Sequence, residues 1–408
     1  MALKRRTLLL GVSAGLALAL PATAGTSTAE ADAIHERVLV LDSHADVLLP
    51  STPARYQAPG GGSRVSLEKL SAGGVDAIVL AVATGSGPRD AEGIATARRD
   101  ADAKLAAIKR LIAENPGKLG LALSADDVER LKREGRIAIL IGFQNARILG
   151  NDVSAIDAFY AVGARIFALN HAGHNDFSDS SRPSANEPES EHGGLSALGR
   201  EAVARLNDLG ALIDVSQLST PALLQTLTLT RAPVAATHSN ARALVENTRN
   251  LSDPELDAIK ANGGVVQVVP FAAYVHRPSP ETVKRQREIR VRFGLPEVSS
   301  SANAGYNTLP PETQDAFLAA LRQVTPQATL SEYVDHIDYI VKCIGIDHVG
   351  IGTDFNHGSG IVGFDSAAEA PNVTRELVRR GYTEAQIAAI WGGNFLRVLR
   401  AAEAAAKR

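Results

Sequence analysis

Short apolar runs alternate along this chain with longer stretches whose apolar positions recur every three or four residues, the signatures of buried strands and one-sided helices. The short runs span residues 38–41, 77–82, 137–143, 165–169, 211–215, 234–237, 264–269 and 349–352. The helical stretches between them span 91–114, 125–133, 155–161, 198–209, 221–228, 253–261 and 330–343. Strands separated by helices build βαβ units and a parallel sheet. Eight such strands predict closure into a (β/α)8 barrel of the TIM type rather than an open doubly wound sheet. No G-x-G-x-x-G turn follows any of the runs, which also counts against a dinucleotide fold.

The rhythm breaks at 274–329, where Lys284-Arg285-Gln286-Arg287, Ser299-Ser300-Ser301 and Pro310-Pro311 follow one another. This stretch predicts an insertion of one or two helices after the seventh strand, either a lid over the barrel mouth or a solvated excursion. The Ala-rich end at 401–408 predicts a fraying terminal helix. At the other end, Lys4-Arg5-Arg6, the apolar run 8–20 and Ala22-Thr23-Ala24 form the three-part pattern of an export signal. That run is shorter than the ~20 apolar residues of a membrane span. Arg5-Arg6-Thr7-Leu8-Leu9 resembles a twin-arginine signal. The expectation is an export signal with a short linker over 1–31, a single barrel domain over 32–408, and a periplasmic or secreted protein.

Composition narrows the partners. Apolar residues make up 45% of the 408 and charged residues 21%, as in a globular protein with a large core. A net charge of −3 gives no electrostatic case for nucleic acid or an anionic membrane. The single cysteine, Cys343, excludes an internal disulfide and any multi-cysteine zinc site, and reads as a small core residue.

Chemistry concentrates just after the strands, where barrel enzymes carry their catalytic groups. The first run leads into Asp42-Ser43-His44-Ala45-Asp46; others lead into Gln144-Asn145, Asn170-His171, Ser216-Gln217, His238-Ser239 and Thr353-Asp354. A lone histidine in such a place is more often a hydrogen-bonded structural residue than a ligand. Three histidines and two aspartates at equivalent places point to a shared divalent metal, since imidazole and carboxylate both suit zinc. No G-x-S-x-G elbow accompanies Ser43, Ser216 or Ser239, which argues against a serine-hydrolase triad.

At these residues the chain resembles the membrane (renal-type) dipeptidase family of zinc peptidases, a branch of the amidohydrolase-like metal-dependent barrels. The resemblance runs through Asp42-Ser43-His44-Ala45-Asp46, Ala168-Leu169-Asn170-His171, Gly194-Leu195-Ser196, Ile213-Asp214-Val215-Ser216 and Thr237-His238-Ser239. It continues through Thr248-Arg249-Asn250-Leu251, Gly350-Ile351-Gly352-Thr353-Asp354-Phe355 and Gly392-Gly393-Asn394-Phe395-Leu396-Arg397. The resemblance implies that His44, Asp46 and Asp354 hold one metal and His238 a second. It implies that Asp354 takes the proton of the attacking water, that His171 stabilises the oxyanion, and that Arg249 helps hold the substrate's terminal carboxylate. It also makes a homodimer the expected assembly.

Two positions depart from the family pattern. Gln144 stands where the family has the glutamate that bridges both metals, and Gln217 stands where it has a zinc-binding histidine. A neutral amide oxygen is a poorer zinc ligand than carboxylate or imidazole. Asp46 and Asp354 together carry −2, enough to balance one divalent ion but not two. The expectation is one firmly held Zn2+ at His44, Asp46 and Asp354, with the second site at His238, Gln144 and Gln217 empty or weak. The function expected is an exported metal-dependent dipeptidase acting on small peptides. The alternatives are a non-hydrolytic peptide-binding or metabolite-maturation factor on the same barrel, or a mononuclear N-acyl amino acid deacylase. Among the other polar residues, His174, Asp176 and Asp179 read as a loop at the pocket rim, His357 as a candidate pocket lining, and His348 as structural. Phe271 and Tyr274 are candidates for the pocket wall, whereas His35, His192, His276 and His336 read as surface or loop residues.

Overall fold

A computed structural model describes residues 27–184, 186–297 and 305–407. The export pattern at 1–24 lies outside the described residues, as does part of the insertion. Among the described residues there are nine parallel strands: β1 (Leu41–Asp46), β2 (Ala77–Ala83), β3 (Leu119–Leu121), β4 (Ile137–Gln144), β5 (Ala164–Ala168), β6 (Leu212–Asp214), β7 (Ala235–Ala236), β8 (Val265–Val268) and β9 (Val349–Ile351). Eight form the continuous order β1-β2-β4-β5-β6-β7-β8-β9, and β3 flanks β4 outside it. A parallel bridge between Ala45 and Phe355 joins the last strand to the first, with the Asp354 amide donating to the His44 carbonyl at 2.7 Å. The sheet is thus a nearly closed (β/α)8 barrel.

The predicted helices at 91–114, 125–133 and 155–161 coincide with Ala91–Glu114, Ala125–Arg133 and Ala155–Ala161. Each of the first two starts at a residue, Asp90 or Ser124, whose side chain accepts from a backbone N–H of the first turn. The insertion contributes the helices Pro280–Arg292 and Pro311–Val324, which pack around their own small cluster of Ile289, Leu295, Phe317 and Leu321. Helices with no counterpart in the sequence expectation include Thr28–Arg37, Leu67–Ala72, Ala370–Arg379 and Glu384–Ala388. The first buries Ala31 and Ile34, so ordered structure begins within the segment read as linker. The terminal helix is Asn394–Ala404, which starts ahead of the Ala-rich end, and Phe395, Leu396, Val398, Leu399 and Ala402 pack it into the core.

The largest departure concerns β1. Val38 and Val40 are buried but lie before the strand, which starts at Leu41 and carries the whole D-S-H-A-D run. Pairing with β2 slips between Asp42 and Ala45, an irregularity of the kind that re-aims side chains near active sites. As a result, neighbouring Ser43 and His44 both meet Thr237 across the barrel mouth, at 2.9 Å and 3.4 Å. Gly352 makes this convergence possible. A Cβ there would lie 2.0 Å from the Thr237 carbonyl oxygen and 2.5 Å from Ser43 Oγ.

Candidate active site

Four residues other than glycine have a left-handed backbone among the described residues: Asn145, Gln217, Asp354 and Asn356. All four lie just past the C-terminal ends of β4, β6 and β9. Such conformations cost on the order of 1–3 kcal/mol each and cluster where side chains must be aimed. The site begins from this strain.

Two buried aspartates brace it from beneath. Asp42 accepts from the His44 amide, the Thr353 amide and the Thr353 hydroxyl, tying β1 to the end of β9. Burial nevertheless pushes its carboxyl up to about 7. Asp214 does the same between β6 and β7, accepting from the Ser216 amide, the Thr237 amide and, at 2.5 Å, the Thr237 hydroxyl. With its proton committed to Asp214, Thr237 Oγ1 is left to accept from His238 Nδ1 at 2.8 Å and His44 Nδ1 at 3.4 Å. This fixes both imidazoles with Nε2 as a lone pair facing the mouth, the tautomer a metal ligand needs. The two rings stack at 4.1 Å, and burial holds both well below the usual histidine range, so they are neutral.

The two lone pairs meet different surroundings. His44 Nε2 lies 3.8 Å from Asp354 Oδ1, too far for a hydrogen bond. That separation is close to the roughly 3.3 Å expected between two ligands of one tetrahedral zinc with ~2.0 Å bonds. Asp46 Oδ1 is buried without a hydrogen-bond partner. Burial pushes Asp354 up to about 6 despite the pull of His357. His238 Nε2, in contrast, is covered by the amide nitrogens of Gln217 at 3.0 Å and Gln144 at 3.4 Å. One oxygen, Gln217 Oε1, remains buried and unpaired. Asp46 Oδ1 is an orphaned ligand atom, and with the neutral His44 imidazole and the Asp354 carboxylate it gives a donor set whose chemistry suits one divalent cation. Among the described residues, the group whose donor atoms all lie within 4.8 Å of one another is instead His44, Asp214 and His238. The three hydrogen bonds that Asp214 already accepts make it a brace rather than a ligand.

Asp46 carries two partners that the sequence did not disclose. Lys104 Nζ, from the helix Ala91–Glu114, lies 3.2 Å from Asp46 Oδ2, and His357 Nδ1 donates to the same oxygen at 2.7 Å. Burial works against the carboxylate, but the Lys104 ammonium and His357 outweigh it and hold Asp46 far below the ordinary range. Burial also opposes charge on His357, yet the Asp46 bond lifts it to about 9. The simple count of −2 for the two carboxylates is therefore incomplete. Lys104 reads in sequence as one more polar position on a long helix, with no motif to mark it.

Around this centre stand the recognition groups. His171 is a buried neutral imidazole whose Nδ1 has no partner, with its ring edge-on to His357 at 5.1 Å. Arg249 is buried with Nη2 donating to the His238 carbonyl at 3.0 Å, Nε unpaired, and the guanidinium 5.5 Å from the Tyr274 ring. Phe271 stacks on Tyr274 at 4.4 Å, and Arg182 reaches the Tyr274 hydroxyl at 3.4 Å. Tyr56 stacks on His357 and meets Tyr306 of the insertion, hydroxyl to hydroxyl, at 3.3 Å. Every expected site residue thus belongs to one cluster. Other expectations change. His35 and His336 are core residues, bonded to Thr374 and the Gly73 carbonyl, and to the Ala241 amide and the Val275 carbonyl. Asp179 accepts from the Ser190 hydroxyl and three backbone amides, which makes its loop a self-contained frame.

Residues 28–408 match the family described as membrane dipeptidase (Peptidase family M19). The crystal structure of the probable dipeptidase PvdM from Pseudomonas aeruginosa is 39% identical, with a TM-score of 0.83 over 93% of this chain and 99% of that one. Dipeptidase aclJ of Aspergillus oryzae is 30% identical over 304 residues, 74% of this chain and 60% of the relative. Dipeptidase tcpJ of Claviceps purpurea is 29% identical over 306 residues, 75% of this chain and 60% of the relative. The match thus spans about 60% of the length of these curated relatives.

Proposed function

This chain belongs to the membrane dipeptidase family, peptidase family M19, and on that premise we propose that it hydrolyses the peptide bond of small dipeptides at the mouth of the barrel, with the help of one divalent metal, zinc by its ligand chemistry. The observation that carries this reading is a cluster at the strand ends in which Asp46 Oδ1, His171 Nδ1 and Arg249 Nε are buried without hydrogen-bond partners and His44 Nε2 lies 3.8 Å from Asp354 Oδ1. His44, Asp46 and Asp354 would hold the ion. When bound, it supplies Lewis-acid chemistry, polarising an amide carbonyl and making water easier to deprotonate.

The chain's own groups do the rest. Arg249 presents a buried guanidinium to the terminal carboxylate, a planar pairing in which two parallel hydrogen bonds fix orientation. Asp354, whose burial raises its affinity for a proton, accepts one from the attacking water and passes it to the leaving amine. His171, buried and neutral, donates a hydrogen bond to the carbonyl oxygen as negative charge develops there. The apolar wall of Phe271 and Tyr274 limits the side chains that fit. The leader pattern supports export as part of the same proposal.

A second reading, a barrel that binds a peptide-like molecule without cutting it, is favoured by one observation: both amides cap His238. Release of free amino acids from a dipeptide panel separates the two readings. Turnover that a chelator abolishes and zinc restores supports hydrolysis. Saturable peptide binding without turnover in zinc-loaded protein supports the second.

A further inference from the structure

Lys104 is the one lysine side chain brought against the centre among the described residues. Its helix, Ala91–Glu114, buries Gly93, Ala97, Ala101 and Ile108. The small alanines let the helix lie close to β2, and Lys104 reaches from it to the end of β1. The side chain is only 15% exposed and its one hydrogen-bond partner is Asp46, itself 5% exposed. Lysine is seldom buried unless paired, and this pairing is to a carboxylate with a ligating role in the proposed centre.

The position has a consequence for charge. A second metal ion in such a site would be held by a bridging carboxylate and two imidazoles. Here Gln144, Gln217 and the capped Nε2 of His238 offer it little, while a fixed positive charge already sits on Asp46. From this geometry we infer that the Lys104 ammonium takes the electrostatic place of a second cation, neutralising Asp46 from within the fold and holding down the centre's affinity for divalent metal. The inference rests on the single-metal reading above and adds to it a residue that sets metal affinity. Lys104 is a positioning residue, since it acts through Asp46. Two effects follow from its charge. It repels an incoming divalent ion, and it shares Asp46 Oδ2 with His357, leaving Oδ1 to bind.

The test is zinc binding by metal-stripped full-length protein, measured by titration calorimetry and by metal analysis after dialysis. Lys104→Met keeps much of the side-chain volume and removes the charge; Lys104→Arg retains it. Loss of a hydrogen-bond partner of a metal ligand typically costs about 10- to 100-fold in affinity, whereas loss of a competing cation should shift it by a similar factor in the opposite direction. Lys104→Met should bind zinc more tightly by that range, and Lys104→Arg should stay near the parent protein. In metal-free form Lys104→Met should also melt lower, because Asp46 loses a counter-charge, and zinc should restore more of its stability than in the parent. Equal or weaker zinc binding by folded Lys104→Met overturns the inference alone. Absence of zinc binding in both proteins overturns the inference together with the metal-dependent reading. Should Lys104→Met fail to fold, Lys104→Gln supplies the same comparison.

Discussion

Arg249→Lys separates recognition of a free carboxylate from the chemistry of cleavage. Wild-type Arg249 is 3% exposed, with Nη2 committed to the His238 carbonyl at 3.0 Å and Nε unpaired. The Tyr274 ring lies 5.5 Å away and helps fix its plane. Lysine keeps the positive charge but loses the fork, so at most one directed hydrogen bond to a carboxylate survives. A hydrogen bond to a charged group is worth about 1.5–3 kcal/mol, which converts to a factor of about 10 to 150. KM for a dipeptide should rise by that factor with kcat changed only a few-fold, because the carboxylate is remote from the scissile bond. Initial rates on a dipeptide and on its C-terminal amide give the sharper readout. The wild type should prefer the free acid, Arg249→Lys should lose most of that preference, and Arg249→Met should lose it entirely. A full preference for the acid in Arg249→Met would refute the assignment.

Further expectations concern the centre and its supports. Asp354→Asn should abolish turnover while leaving circular dichroism and the melting midpoint close to wild type; retained hydrolysis would remove Asp354 from the proton transfer. Thr237→Val deprives two imidazole N–H groups and Asp214 of their shared partner. Its cost is expected at about 1–3 kcal/mol in urea denaturation, and a change within error would show that the hydroxyl relay carries no stability. Asp42 is raised to about 7 in the fold against ~3.9 unfolded. Its protonated form therefore favours the fold, a contribution that is complete below ~3.9 and lost as pH rises through about 7. Relative to Asp42→Asn, wild-type stability should fall by about 2 kcal/mol between pH 5 and pH 7; parallel pH profiles would contradict this.

Much of this architecture was legible because barrel strands and helices obey different periods. The eight apolar runs marked the barrel strands, and the polar residues ending them marked the site. Strand edges were less legible. The first strand begins at Leu41, later than its apolar run, although Val38 and Val40 are buried in the core just ahead of it. The histidines show the same limit. His35 and His336 pair with distant groups, Thr374 and the Val275 carbonyl, and nothing local distinguishes such partners from water. Lys104 is the clearest case. Its helix was legible to the residue, yet the meeting with Asp46 depends on how closely small alanines let the helix approach the barrel, a quantity set by tertiary packing. The charge count for the metal centre changed accordingly.

The most direct test of the single-metal account is titration of zinc into metal-stripped protein while dipeptide hydrolysis is followed. The account predicts no turnover without metal and a plateau at one ion per chain. Full activity without metal, or a plateau reached only at two ions per chain, would contradict it.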